Sequence, residues 1–114
     1  MTAQALLIAR LRALLTAEPV TREVSMFGGR SFMVNEKMIV SALKDGDLLV
    51  RVAADRHEAL LGQPGAVQAE MGAGRDMGPG WIEVAAPSIS EDEALACWVR
   101  TALEYNRTVT GGPR

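Results

Sequence analysis

Residues 30–52 read RSFMVNEKMIVSALKDGDLLVRV, and this run decides the fold. Three stretches rich in Val, Ile, Leu and Met, namely Arg30–Val34, Lys37–Lys44 and Asp47–Val52, are separated by Asn35-Glu36 and by Asp45-Gly46. Asp-Gly between two such stretches is a strong hairpin signal, because both residues tolerate positive φ. Asn35-Glu36 is a weaker turn, since Glu is strained at positive φ, and a looser four-residue loop is open there too. Taking both pairs as two-residue tips sets a register: Leu43 faces Leu48, Ser41 faces Val50, and Ile39 faces Val52. The face expected in the core then reads Phe32, Val34, Ile39, Ser41, Leu43, Leu48, Val50 and Val52. The opposite face reads Ser31, Met33, Met38, Val40, Ala42, Leu49 and Arg51.

Upstream, Leu7, Ile8, Leu11, Leu14 and Leu15 share one sector of a helical wheel, with Arg10, Arg12 and Thr16 flanking or opposing it. Pro19 ends that helix. Glu23–Phe27 reads as a short strand closing at Gly28-Gly29. Downstream, Asp55 with Glu58 has the pattern of a capping box and opens a short helix that Gly62 and Pro64 end. The segment 62–80 holds six glycines and two prolines, so it reads as loop, with a brief strand around Ala69–Met71. Trp81–Val84 is a firmer strand, edged by Pro87. Ser90 with Glu93 forms a second capping box, launching a helix to about Asn106 whose apolar sector is Leu95, Trp98, Val99, Ala102 and Leu103, with Tyr105 at its edge. Residues 108–114 are expected as a tail, leaving one domain over 3–107. The order is helix, three or four strands, short helix, two strands, helix. That is an α+β protein with two layers, a meandering antiparallel sheet carrying its helices on one face.

At 114 residues and 48% hydrophobic composition, the chain can build a core without disulfide or metal staples. The net charge of −2 gives no global positive field, so sequence-specific nucleic-acid binding is not expected. One cysteine excludes an intrachain disulfide framework, and one histidine excludes most zinc sites; no metal or cofactor is expected. The apolar run Ala5–Ala9 precedes its arginines, the reverse of a secretory signal, and no stretch approaches the ~20 apolar residues of a membrane span. The expected location is the cytoplasm. The sequon Asn106-Arg107-Thr108 therefore stands without a secretory context.

Motifs that invite chemistry fall short of it. Gly72-Ala73-Gly74-Arg75-Asp76-Met77-Gly78 has methionine where a dinucleotide fingerprint needs its third glycine, and a strand rather than a helix follows. Cys97 and His57 are the one thiol and imidazole. Cys97 falls on the polar side of its helix near glutamates, and His57 falls in a short first turn where exposure is the usual outcome. Asp45-Gly46-Asp47 is turn chemistry and no calcium loop. Only five aromatic residues are present, with Phe32, Trp98 and Trp81 expected in the core, so stacking platforms for single strands are lacking. A basic edge would have to come from Arg10, Arg12, Arg30, Arg51 or Arg75.

At Met26-Phe27-Gly28-Gly29-Arg30-Ser31-Phe32-Met33-Val34-Asn35-Glu36-Lys37-Met38 the chain resembles the N-terminal domain of the TfoX/Sxy family. Further matches are Leu49-Val50-Arg51-Val52, the Met71…Gly74-Arg75…Met77 loop, Trp81, and the closing helix with Trp98. Glu36 stands where the family turn would carry glycine. The resemblance spans residues 5 to 106 and rests on structural motifs. It implies a two-layer domain of the secretion-chaperone-like type. Long members of the family, which carry a second, C-terminal domain that this chain is expected to lack, are described as regulators of natural competence acting with the cyclic-AMP receptor protein; no enzymatic activity goes with the resemblance.

The expectation is thus a non-enzymatic, cytoplasmic protein-interaction domain, regulatory by resemblance. Its contact face would be the apolar one, through Met33, Met38, Val40, Leu49 and Arg51, with a symmetric homodimer as the commonest form. The alternative for this face is that the Gly62–Gly80 loop or the chain end folds over it and makes it a second small core. The competing expectation is a small-ligand or enzymatic site between the Gly28-Gly29 step and the Gly72–Gly80 loop, with Arg30, Arg75 and Asp76 as polar contacts. It requires both segments to line one pocket of ~300 Å3 or more.

Overall fold

The computed structural model describes residues 2–18, 21–26, 29–70 and 74–110. Pro19, the strand end at Phe27, Gly28, Met71 and Gly72, and the last four positions lie outside them. Helix α1 (Ala3–Leu14) begins where the Thr2 hydroxyl accepts the Ala5 N–H at 3.0 Å, satisfying one of the orphan donors of a first turn. Its buried ridge is the i, i+4 row Leu7, Leu11, Leu15. Leu14, expected in the same sector, stands on the solvent side of that row and is exposed.

Four strands follow: β1 (Thr21–Met26), β2 (Gly29–Val34), β3 (Lys37–Leu43) and β4 (Leu48–Arg51). A single 3-10 turn at Ala54–Arg56 leads into α2 (His57–Leu60), and then come β5 (Ala66–Gln68) and β6 (Trp81–Val84). A second 3-10 turn at Ala86–Ile89 precedes α3 (Asp92–Thr110). The brief strand expected at Ala69–Met71 thus lies a few residues earlier, where Ala66–Gln68 pairs with β6. Helix α3 runs past the expected end near Asn106 and takes in the first residues of the expected tail. All strands are antiparallel, in the order β1-β2-β3-β4-β6-β5. The central run is a meander, but β6 takes the place beside β4 and leaves β5 at the edge.

The expected register of β3 is corrected by one residue. At the Asp-Gly turn, the Leu43 N–H donates to Asp47 O and the Gly46 N–H donates to Leu43 O. The connection is therefore the three residues Lys44, Asp45 and Gly46, with Gly46 at φ +92°, the left-handed position that such a hairpin reserves for glycine. Val40 pairs with Val50, Ser41 with Leu49, and Ala42 with Leu48. The other turn keeps its two residues, Asn35 at φ +53° and Glu36 at φ +66°, and Arg22 across the strands pairs with the Glu36 carboxylate at 2.8 Å. The two turns are out of step, so β3 carries an extra residue, Ile39, between the Phe32–Val40 and Met33–Met38 pairs.

A slip of one residue moves a strand's side chains to the other face. Val40 and Ala42, expected outside, are fully buried in the core, while Ser41 and Leu43 leave it. The core face reads Phe32, Val34, Val40, Ala42, Leu48, Val50, Ile82 and Val84, and against it pack Leu7, Leu11 and Leu15 of α1, Leu60 of α2, and Leu95, Trp98, Val99, Ala102 and Leu103 of α3. The α3 spacing of three and four residues is the stripe that a one-sided helix needs.

Candidate functional site at the outer face and the sheet end

Alternation places Ser31, Met33, Met38, Ser41, Leu43, Leu49, Arg51, Val67, Trp81 and Glu83 on the face turned away from the helices. Its centre is tight: the Ser31 hydroxyl donates to Ser41 Oγ at 3.0 Å, and Ser31, Ser41 and Leu49 are buried. Met33, Met38, Leu43, Arg51 and Trp81 are half-buried, and Val67 on the edge strand is 57% exposed. Of the five residues expected to form a contact patch, Met33, Met38, Leu49 and Arg51 share this face; Val40 does not. Glu83 lies beside Asp47 here. Burial first, then the hydrogen bond and charge of Asp47, with Asp45 and Glu70 adding, hold the Glu83 carboxyl above the ordinary range.

At one corner of the sheet, β3 begins, β4 ends and β6 begins, and the C-terminal end of α3 reaches over this end. The Arg51 guanidinium carbon lies 4.9 Å from the Trp81 ring centroid and 4.9 Å from that of Tyr105, a cation between two π-faces. Its Nη2 donates to the Tyr105 hydroxyl at 3.2 Å and its Nη1 to Val52 O at 3.3 Å. Gly80 makes this possible, because a Cβ there would run into Arg51 Nη1. Asn106, 2% exposed, donates its Nδ2 to Val34 O at 2.9 Å, while its Oδ1 is buried without a partner. Together with Lys37, Met38, Ile39, Ala102 and Val109 these residues line a cavity of about 290 Å3.

The chain matches the TfoX N-terminal domain over residues 13–105. It belongs to the TfoX N-terminal domain family. No curated protein matches the chain. In this TfoX N-terminal domain the family-like residues hold the fold together. A Cβ on Gly29 would strike Ala42 O, so glycine lets β2 approach β3. Leu49–Val52 carries the central strand β4, and Trp98 is buried in the core.

The described residues of the expected ligand site do not come together. Gly29 and Arg30 lie at the β2 end that faces Leu43 and Ala42, whereas Arg75 and Asp76 extend from the opposite end of β5 and β6, with β3 and β4 between. Arg30 pairs with Glu23, which Arg12 of α1 also holds; Arg75 and Asp76 are exposed. The basic edge is likewise dispersed, since Arg10 pairs with Asp92, and Arg12 and Arg30 share Glu23.

His57 is buried, against the expectation of exposure, because both ring nitrogens are used inside the fold, by the Gly80 N–H and by Gln68. It is no base for Cys97, which is exposed on α3 as its wheel position implies. Among the described residues no group of three or more His, Cys, Asp or Glu could hold a metal ion, and no helix is long and apolar enough to cross a membrane. The sequon asparagine, Asn106, is buried in the cavity wall. Sequence reading named Arg51 as a face residue but missed its partner Tyr105 and missed Asn106, which lines the same cavity. The available signal was Gly80 directly before Trp81, a residue without side chain on the strand facing Arg51.

Proposed function

We propose that this TfoX N-terminal domain is a non-enzymatic interaction domain that takes a protein partner, most simply a second copy of itself, on the outer face of its sheet. What supports the reading is the set of apolar side chains, Met33, Met38, Leu43 and the exposed Val67, spread over the face opposite the helices. An antiparallel sheet can leave one face to water, but its outward positions are then usually polar. Methionines suit adaptable contacts, and Trp81 with Arg51 at the corner are the residue types that anchor interfaces. Its setting is the cytoplasm, and by family likeness its role is regulatory.

Sedimentation from low to high micromolar concentration tests this. Self-association that Met33→Asp weakens, with the circular dichroism spectrum unchanged, is the expected result. A monomer throughout removes the homodimer. Capture from the native host, with the same variant as control bait, then decides whether a different protein uses the face.

A further inference from the structure

We propose that the cavity at the sheet end, walled by Lys37, Met38, Arg51, Trp81, Tyr105 and Asn106, binds a small organic anion that also carries a hydroxyl or amino donor. This does not depend on self-association. The first observation is a cation held in place without a counter-charge among the described residues. Arg10, Arg12, Arg22, Arg30, Arg56 and Arg107 each pair with a carboxylate. Among the described residues no carboxylate lies within ion-pair distance of Arg51, although it is half-buried and fixed between two rings. Its hydrogen bonds to Val52 O and the Tyr105 hydroxyl use two of a guanidinium's five N–H donors. The N–H donors that remain suit a carboxylate or phosphate, the guanidinium's usual partners. Lys37, exposed on the same cavity, adds a second cation without an ion pair among the described residues.

The second observation has the opposite polarity. Asn106 lines the cavity, and its Oδ1 is an acceptor buried without a hydrogen-bond partner. A buried polar atom left unpaired is costly, and a native fold that tolerates one usually reserves it for a ligand or water. Arg51 and Lys37 call for negative charge, and Asn106 calls for a donor beside it. The volume of about 290 Å3 is at the small end for ligand pockets, and Met38, Ile39, Ala102 and Val109 supply apolar walls. A compact hydroxy-carboxylate, amino-carboxylate or phosphate monoester meets every one of these conditions. A neutral polyol lacks the charge, and a bare anion lacks the donor.

The test is a titration of 15N-labelled protein with glycerate, glycerol phosphate, glycerol, acetate and sulfate, read at the Trp81 indole N–H and the Asn106 side-chain amide. Saturable shifts at both signals are expected with glycerate or glycerol phosphate, and whichever binds tighter identifies carboxylate or phosphate. Acetate and sulfate should bind about tenfold more weakly, the worth of one good hydrogen bond, and glycerol should leave the signals in place. Arg51→Met should weaken binding by about tenfold or more. Lys37→Met changes only an exposed side chain, so it keeps the fold and should weaken binding several-fold. The proposal is overturned if glycerate and glycerol phosphate move neither signal in the millimolar range, if glycerol or the bare anions act equally well, or if Lys37→Met leaves the affinity unchanged.

Discussion

His57 Nδ1 accepts a hydrogen bond from the Gly80 backbone N–H at 2.9 Å. A backbone N–H can only donate, so Nδ1 is unprotonated and Nε2 carries the hydrogen, donating to Gln68 Oε1 at 2.8 Å. Gln68 Nε2 in turn donates to Ala69 O, Gly78 O and Trp81 O. One imidazole thus ties α2 to the end of the loop that positions Gly80, the residue against which Arg51 rests. His57→Phe keeps the volume but leaves the buried Gly80 N–H without an acceptor. It should cost about 2–3 kcal/mol. Urea denaturation measures the loss, and amide exchange at Gly80 should quicken. Unchanged stability would mean that the ring merely fills space.

The Ser31–Ser41 hydrogen bond gives a second test, because it exists only in the observed register. Val40→Ser puts a hydroxyl into the core and removes two methyl groups, so it should cost about 2–4 kcal/mol. Ser41→Ala removes one hydrogen bond and should cost about 1 kcal/mol. In the register with two-residue tips Val40 would face outward, and Val40→Ser would cost little. Chemical denaturation of the two variants decides between them.

Two glutamates give stability opposite slopes with pH. The hydrogen bond from Arg12, partly opposed by burial and reinforced by Arg30, holds Glu23 below the ordinary carboxylate value of 4.5. A depressed folded pKa means that the contribution of Glu23 is complete above 4.5 and fades as pH falls through the folded value. Glu23→Gln should therefore lower stability at neutral pH and flatten the acid limb. Burial and Asp47 raise Glu83 above the same value of 4.5, so its contribution is present below 4.5 and is lost as pH rises through its folded pKa. Glu83→Gln should accordingly be more stable than the parent at neutral pH, with the gain disappearing in acid. Thermal melts from pH 4 to 8, on the order of one unit apart, would show crossing trends; parallel curves would contradict both assignments.

Cys97 is exposed on α3. A maleimide should label the folded protein to the same extent as the unfolded one, counted by mass spectrometry. Protection in the folded state that is relieved on dilution would place Cys97 under a partner copy, and the contact surface would then include α3.

The sequence alone determined the elements and the fold class. Periodicity of 3.6 in α1 and α3 and alternation in the strands follow from backbone geometry, so they are visible wherever one side of an element is buried. Leu7, Leu11, Leu95, Trp98 and Ala102 fell where the wheel put them. The exposure of Cys97 followed from the same wheel, and the family likeness from residues 26–38 onward. What only the tertiary structure decided depends on contacts between residues far apart in the chain. Asp45-Gly46 signals a turn of either two or three residues, and the choice, which sent Val40 inward and Ser41 outward, is settled by how β3 and β4 pack against the helices. His57 was legible as a first-turn residue, but its acceptors and donors come from Gln68 and Gly80, which reach it only when β5 and β6 pair. Arg51, Trp81, Tyr105 and Asn106 meet because β6 inserts beside β4 and α3 runs on to Thr110. No local pattern encodes that meeting, since Arg51, Trp81 and the pair Tyr105-Asn106 lie on three different elements, and the cavity between them is a product of strand order and of where α3 ends.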